Sequence, residues 1–231
     1  MWLYWAQGLE GAPPLVRACI KSWQYHNPDW DVRLLDDKNL HAFLDMSDIS
    51  PEVNRTAYSD ILRCRLLKKH GGVWVDATVL CAAPLDDWLH MLTYSGFFAF
   101  SNSVSDRPIA SWFIAATKGN YIIERLSSEV DAYWANGRRE PSTYFWLHYT
   151  FLMLLALDPR FRRLWQKCPR IHAFTPHMLQ FLLTSTYDKL DISALRSSPV
   201  HKLTWKAEIR LEDLQGVLKL CGRNIPDFQE D

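Results

Sequence analysis

Residues Thr56 to Cys81, TAYSDILRCRLLKKHGGVWVDATVLC, read as a helix, a glycine turn and a buried strand that ends in a carboxylate. Asp60 and Arg63 stand three apart and so share a helix face. Lys68, Lys69 and His70 fill the last turn, where cations complement the helix dipole, and Gly71 suits the position just past the cap. The helix is therefore predicted to stop near His70. Val73, Trp74 and Val75 make the short apolar run of a strand covered on both faces. Asp76 and Thr78, two apart, are predicted to face the same side of that strand. An α/β enzyme presents an acid to a nucleotide or a metal in this way.

The flanking sequence extends the same pattern. Trp2 to Trp5 predict a first strand, Pro13 and Pro14 introduce a helix to about His26, and Val32 to Leu35 predict a second strand followed by Asp36 and Asp37. Phe97 to Phe100 and Trp112 to Ala116 read as further strands, with helices at about 120–135, 143–157 and 176–184. A single α/β domain over 1–231 is expected, with a nucleotide-binding part at 1–118 and a mostly helical part at 119–231. Ligands of open α/β sheets lie outside the carboxyl ends of the strands, which here collects Gln7, Asp36, Asp76 and Thr78 on one edge.

Composition excludes several classes. Net charge is zero with 26 basic and 26 acidic residues, and no DNA- or RNA-binding motif appears, so no nucleic-acid partner is expected. Five widely spaced cysteines with no CxxC argue for a reducing compartment, and the N-terminus lacks a secretory pattern, so a cytoplasmic location is expected. The longest uncharged run, Pro141 to Leu157, is shorter than the roughly 20 residues needed to span a bilayer and reads as a buried helix. Walker, GxGxxG and GxSxG motifs are absent. Eleven tryptophans supply flat faces for a base or a sugar, although core filling accounts for most of them.

Ser59, Asp60, Arg63, Gly71, Gly72 and Asp76, read as S-D-x-x-R followed by G-G-x-x-x-D, resemble the glycosyltransferases of the capsular polysaccharide synthesis type. These are related to the DxD-containing mannosyltransferases and to the glucosylating domain of clostridial toxins. The opening WLYWAQG, the segment SWQYHNPDWDVRLLDD and the late PVHKLTWK extend the resemblance over nearly the whole chain. It implies a GT-A-like nucleotide-diphospho-sugar transferase fold, with a mixed central sheet, helices on both faces and a helical C-terminal part. It also implies a retaining hexosyltransferase moving sugar from a UDP-sugar to a capsular or other surface glycan. Thr78 stands where the wider group carries a second aspartate.

The resemblance also distributes roles. Asp76, Thr78 and His201 are expected to hold Mn²⁺ or Mg²⁺, with Lys202 and Lys206 neutralising the diphosphate. Asp60 binds sugar hydroxyls, Arg63 approaches sugar and phosphate, and Trp74 packs beside the donor or in the core. Trp5, Gln7 and Asp36 border the nucleotide, although a structural reading is preferred for these three. Ser111, Trp112, Tyr144 and His148 mark the acceptor side, with Tyr144 and His148 read as i,i+4 neighbours. The acceptor is a glycan or lipid-linked glycan. Arg160, Arg162, Arg163, Lys167 and Arg170 suit an anionic lipid or lipid-linked diphosphate, or simply a solvated face, so membrane contact is at most peripheral, at the inner face. Two other classes compete: an aspartate-dependent phosphohydrolase or phosphotransferase, since VWVDATV is an apolar strand ending in an acid, and a noncatalytic sugar-nucleotide or glycan-binding module.

Overall fold

The computed structural model describes residues 1–102, 106–184, 192–223, 226 and 228. In chain order the elements are β1 (Trp2–Tyr4), α1 (Pro14–His26), β2 (Arg33–Leu35), α2 (Arg55–His70), β3 (Gly72–Val75), β4 (Val79–Cys81), α3 (Leu89–Leu92), β5 (Phe97–Ser101) and β6 (Ile109–Ala116). They continue with α4 (Tyr121–Trp134), α5 (Trp146–Leu157), α6 (Pro159–Gln166), α7 (Phe174–Leu183), α8 (Ile192–Ser197), β7 (Val200–Lys202) and α9 (Leu211–Leu220). One sheet has the order β2-β1-β3-β6-β5 and a second pairs β4 with β7. Because β1 and β2 run parallel while β5 and β6 run antiparallel, the sheet is mixed, and the α/β class expected from the sequence is the one adopted. The chain divides into two compact units: residues 1–36, 75–90 and 173–231, and residues 37–74 and 91–172.

In the first unit, α1 starts on Pro14, whose fixed φ suits the first helical position and whose missing N–H costs nothing there. Its inner face buries Leu15, Val16, Cys19, Ile20 and Trp23, and full burial of an aliphatic side chain such as Ile20 is worth about 1.5–3 kcal/mol. Polar contacts then lock α1 to β4. Trp23 Nε1 donates to the Val79 carbonyl at 2.7 Å, and Ser22 Oγ accepts from Cys81 N at 2.9 Å. Asn27 closes the helix, its side chain donating to the Trp23 carbonyl at 3.0 Å and accepting from Leu85 N at 2.7 Å. β4 pairs antiparallel with β7 in the register Val79↔Lys202, Leu80↔His201, Cys81↔Val200. Leu80 also joins a core with Leu179, Leu195, Leu203, Leu214 and Leu218.

The second unit is built on α2, capped by Asn54, whose side chain accepts from Ala57 N at 2.9 Å. The helix ends where the sequence predicts. Gly71 has φ +70, and a Cβ there would lie 2.7 Å from Lys118 N, so both backbone conformation and space demand glycine. Arg65 ties α2 to α4, reaching Asp131 at 2.7 Å and both oxygens of Asp48 at 2.7 and 2.6 Å. Aromatic pairs fill this unit: Phe100 stacks on Trp112 at 4.8 Å, Tyr133 on Trp146 at 5.0 Å, and Phe151 meets Phe161 edge-on at 4.9 Å. Most of the tryptophans are core residues, and Trp205 is the one among the large exposed hydrophobics, at 51%.

Three expectations need correction. β3 ends at Val75, so Asp76 and Thr78 lie in a turn closed by Val79 N donating to the Asp76 carbonyl at 2.9 Å, where strand alternation does not apply. α5 begins at Trp146, not near 143, which leaves Tyr144 outside the helix. Finally, the Pro141–Leu157 run is buried on one side only: Trp146, Leu147, Thr150, Phe151 and Leu154 face in, while Leu157 is 75% exposed. Among the described residues no helix is long and apolar enough to cross a membrane.

Candidate functional site

In the first unit the β4–β7 pairing brings distant residues to Asp76. Leu203 N donates to the Thr78 carbonyl at 2.9 Å, which sets the end of β7 against the turn. Lys202 Nζ donates to Thr78 Oγ1 at 2.5 Å and lies 3.8 Å from Asp76 Oδ2. Both partners of that charge pair keep contact with solvent, Lys202 at 19% and Asp76 at 26% exposure. Asp76, Thr78 and Lys202 thus form a half-buried acid, hydroxyl and ammonium cluster at the end of β3.

His201 does not join them. Neighbouring strand residues point to opposite faces, so His201 leaves β7 on the side away from Lys202; it is 1% exposed. Its Nδ1 has no hydrogen-bond partner among the described residues. Burial, with Arg223 adding repulsion, pushes its pKa down from 6.5 to about 3. The unfolded chain therefore binds a proton between about pH 6.5 and 3 that the folded chain refuses, and stability falls as pH falls through that window. The slope from this residue alone is about 1.4 kcal/mol per pH unit. His201→Leu is expected to flatten the acid limb of a urea-unfolding series, and an unchanged limb would contradict the assignment.

The fit to a divalent metal follows from this donor set. Among the described residues no group of three or more His, Cys, Asp or Glu side chains could hold an ion. The Thr78 hydroxyl already accepts from Lys202. A preformed cage of Asp76, Thr78 and His201 is therefore not assembled. One partly exposed carboxylate does suit a cation whose other ligands are substrate phosphates and water, which is how Mg²⁺ is commonly held.

The residues expected to border a nucleotide also lie in the first unit. Trp5 N donates to the Leu35 carbonyl at 3.0 Å and Gly8 N to the Trp5 carbonyl at 2.9 Å, turning the chain after β1. Gly8 has φ +74, and a Cβ there would come within 3.0 Å of Asp36 Oδ2. Gln7 is exposed and Asp36 half-buried. Trp5 meets Trp205 edge-on at 5.9 Å, a partner that sequence reasoning passed over although it lies inside PVHKLTWK. Lys206, next to it, is exposed.

In the second unit Asp60 and Arg63 form an ion pair one helical turn apart, with side chains only 7% and 5% exposed. Arg63 Nη2 also donates to Ser59 Oγ at 3.1 Å, and its guanidinium lies over the Trp74 ring, 5.2 Å from the centroid. Trp74, at 1% exposure, is a core residue. Ser111 and Trp112 are buried in β6. Tyr144 and His148 do not share a helix face; each instead meets Phe145 edge-on, at 5.0 and 5.6 Å. Tyr144 is 65% exposed and lines a cavity of about 360 Å³ with Glu52, Asn54, Thr56, Arg139 and Trp146. Glu52 and Arg139 pair across it at 3.1 Å. All five cysteines are buried free thiols, and burial pushes Cys19 and Cys81 up to about 12, so neither is poised as a nucleophile.

Relatives are consistent with the motif resemblance. The chain is 28% identical over 147 residues to the O-glycosyltransferase braB of Annulohypoxylon truncatum, covering 54% of this chain and 35% of that protein. It is 28% identical over 102 residues to the glycosyltransferase afumC of Aspergillus fumigatus, covering 37% of this chain and 26% of that protein. Subversion of eukaryotic traffic protein A of Legionella pneumophila is 27% identical over 73 residues, 32% of this chain and 11% of that protein. The chain thus spans about a third or less of the length of these curated relatives. The solved PaToxG glycosyltransferase is similar over 71% of each chain at 14% identity and a TM-score of 0.44. The capsular polysaccharide synthesis protein description matches residues 1–217, and the chain belongs to that family.

Proposed function

We propose that the protein is a glycosyltransferase that moves a hexose from a UDP-sugar to a surface glycan with retention of anomeric configuration. The observation that carries this reading is the half-buried Asp76–Thr78–Lys202 cluster at the end of β3, in a chain of the capsular polysaccharide synthesis family. Departure of a nucleoside diphosphate places negative charge on the leaving oxygens, and fixed cations lower that barrier. Lys202, held by the Thr78 hydroxyl, is the fixed cation here. Asp76 would bind Mn²⁺ or Mg²⁺, which would supply further charge against the diphosphate. Trp5, Gln7 and Asp36 border the nucleotide in this proposal, with the exposed Lys206 as an outer cation.

For the second unit the proposal is separate. Asp60 recognises sugar hydroxyls, and Arg63, one arm held by Ser59, meets the sugar and phosphate. The cavity beside Tyr144 takes a segment of the acceptor. Its volume lies near the small end of the ligand-cleft range of about 300–1,000 Å³. An exposed aromatic ring among hydrogen-bonding side chains is the chemistry that a sugar requires, the ring meeting its C–H face. Tyr144→Ala is expected to raise the acceptor KM roughly tenfold while leaving acceptor-independent UDP release unchanged. An unaltered KM would remove Tyr144 from the acceptor side. The overall reading is tested by UDP release from a panel of UDP-sugars with manganese, magnesium or EDTA.

A further inference from the structure

The chain is neutral, yet its charge is segregated. Residues 159–170, PRFRRLWQKCPR, hold Arg160, Arg162, Arg163, Lys167 and Arg170 and no acid, so the remaining chain carries 21 basic residues against 26 acidic ones. α6 buries Phe161 and Trp165, four apart, against Phe151 at 4.9 and 5.1 Å. Burying that face turns the other positions outward, and all five cations are exposed. Among the described residues none of the five has an acidic partner. Their contacts are neutral. Arg160 lies over the Tyr121 ring at 4.1 Å, Arg170 over Trp165 at 4.2 Å, and Arg162 Nη2 donates to the Ala156 carbonyl at 2.9 Å. These contacts hold three of the five charges in place without neutralising them. Asp158, the nearest acid in sequence, is occupied by the α6 cap, by Tyr121 and by Arg125.

A second feature adjoins this basic segment. Tyr149, Met153 and Leu157 recur every fourth residue on α5 and so share one face, with exposures of 39%, 40% and 75%. The stripe ends at the turn into α6, where Arg162 folds back onto Ala156, the residue before Leu157. A row of exposed apolar side chains running into a cluster of unpaired cations is what an interfacial membrane-docking surface needs. The cations meet anionic headgroups and the apolar side chains enter the acyl boundary. A soluble polyanion would use the charges and leave the stripe unexplained.

We propose that the α5–α6 face docks the protein onto a bilayer surface rich in anionic phospholipid, with Leu157 and Met153 entering the boundary region. The test is flotation of the full chain with vesicles of phosphatidylcholine alone or containing phosphatidylglycerol, at low and high salt. Binding to the anionic vesicles alone, weakened by salt, is expected. Each charge removed should weaken it about fivefold. Arg162→Glu with Arg163→Glu tests this, and Arg162→Gln with Arg163→Gln does so if the reversal disturbs folding, as read by the unfolding midpoint. Leu157→Ser should weaken binding while leaving its salt dependence intact. Equal binding to both vesicle types, full binding by the charge variants, or no binding at all would overturn the proposal. So would an unaffected Leu157→Ser together with equal capture by a short DNA duplex, which would identify a generic polyanion surface.

Discussion

Asp76→Asn is expected to lower sugar transfer by about a thousandfold, on the scale of losing a principal electrostatic group at a leaving diphosphate. The change is nearly isosteric. The turn at Asp76 is closed by its backbone carbonyl, which the substitution leaves in place, and the side chain is 26% exposed. Folding should therefore be little affected, and the loss should appear in turnover. UDP release from the preferred UDP-sugar, with and without manganese, reads the effect, and the unfolding midpoint of the variant serves as control. Turnover by Asp76→Asn equal to that of the parent in manganese would remove Asp76 from the mechanism. If Asp76 supported release of phosphate from simple phosphoesters and no sugar nucleotide were consumed, the phosphohydrolase reading would replace the transferase. UDP binding with no donor breakdown under any metal would favour a binding module.

Arg63→Ala is expected to destabilise the protein by about 3–5 kcal/mol, the usual cost of breaking a buried ion pair. At the surface, an i,i+3 pair such as Asp60–Arg63 contributes only about 0.2–0.5 kcal/mol. Burial changes the size of the effect. With side chains 7% and 5% exposed, removing the guanidinium strands the Asp60 carboxylate away from water and empties the space over Trp74. Replacing both residues by apolar side chains of similar size should recover most of the loss, because no charge is left uncompensated. Denaturant unfolding of the single and paired variants measures this. A single-variant loss below about 1 kcal/mol would mean that the pair behaves as a solvated one.

Local chemistry was legible residue by residue. The Pro14 start of α1, the cationic last turn of α2, the glycine stop at Gly71 and the apolar run of β3 each depend on neighbours within a few positions. Such features are stated by a sequence directly. The short strands β4 and β7 were not legible, since three residues carry no period and their pairing joins positions more than a hundred apart. His201 was expected beside Asp76 from the family resemblance alone, and the ladder puts its neighbour there instead. The register places Lys202 opposite Val79, and strand alternation then sends one of two neighbouring residues to the cluster and the other into the core. A shift of one residue would have exchanged them.

Tyr144 teaches the same lesson at a helix end. Its i,i+4 spacing to His148 has meaning only inside a helix, and α5 begins two residues later, at Trp146. From its sequence alone this chain determined its α/β class, the start of α1, the end of α2, the acid at the end of β3 and the segregation of charge in residues 159–170, because periodicity, caps and composition are local properties. Tertiary structure alone decided that Lys202 rather than His201 faces Asp76, that the Asp60–Arg63 pair is buried, and that Tyr149, Met153 and Leu157 form an exposed stripe. Those outcomes depend on strand register and on which face of each element meets its neighbours, and burial, the quantity that sets their energies, exists only once the chain has packed.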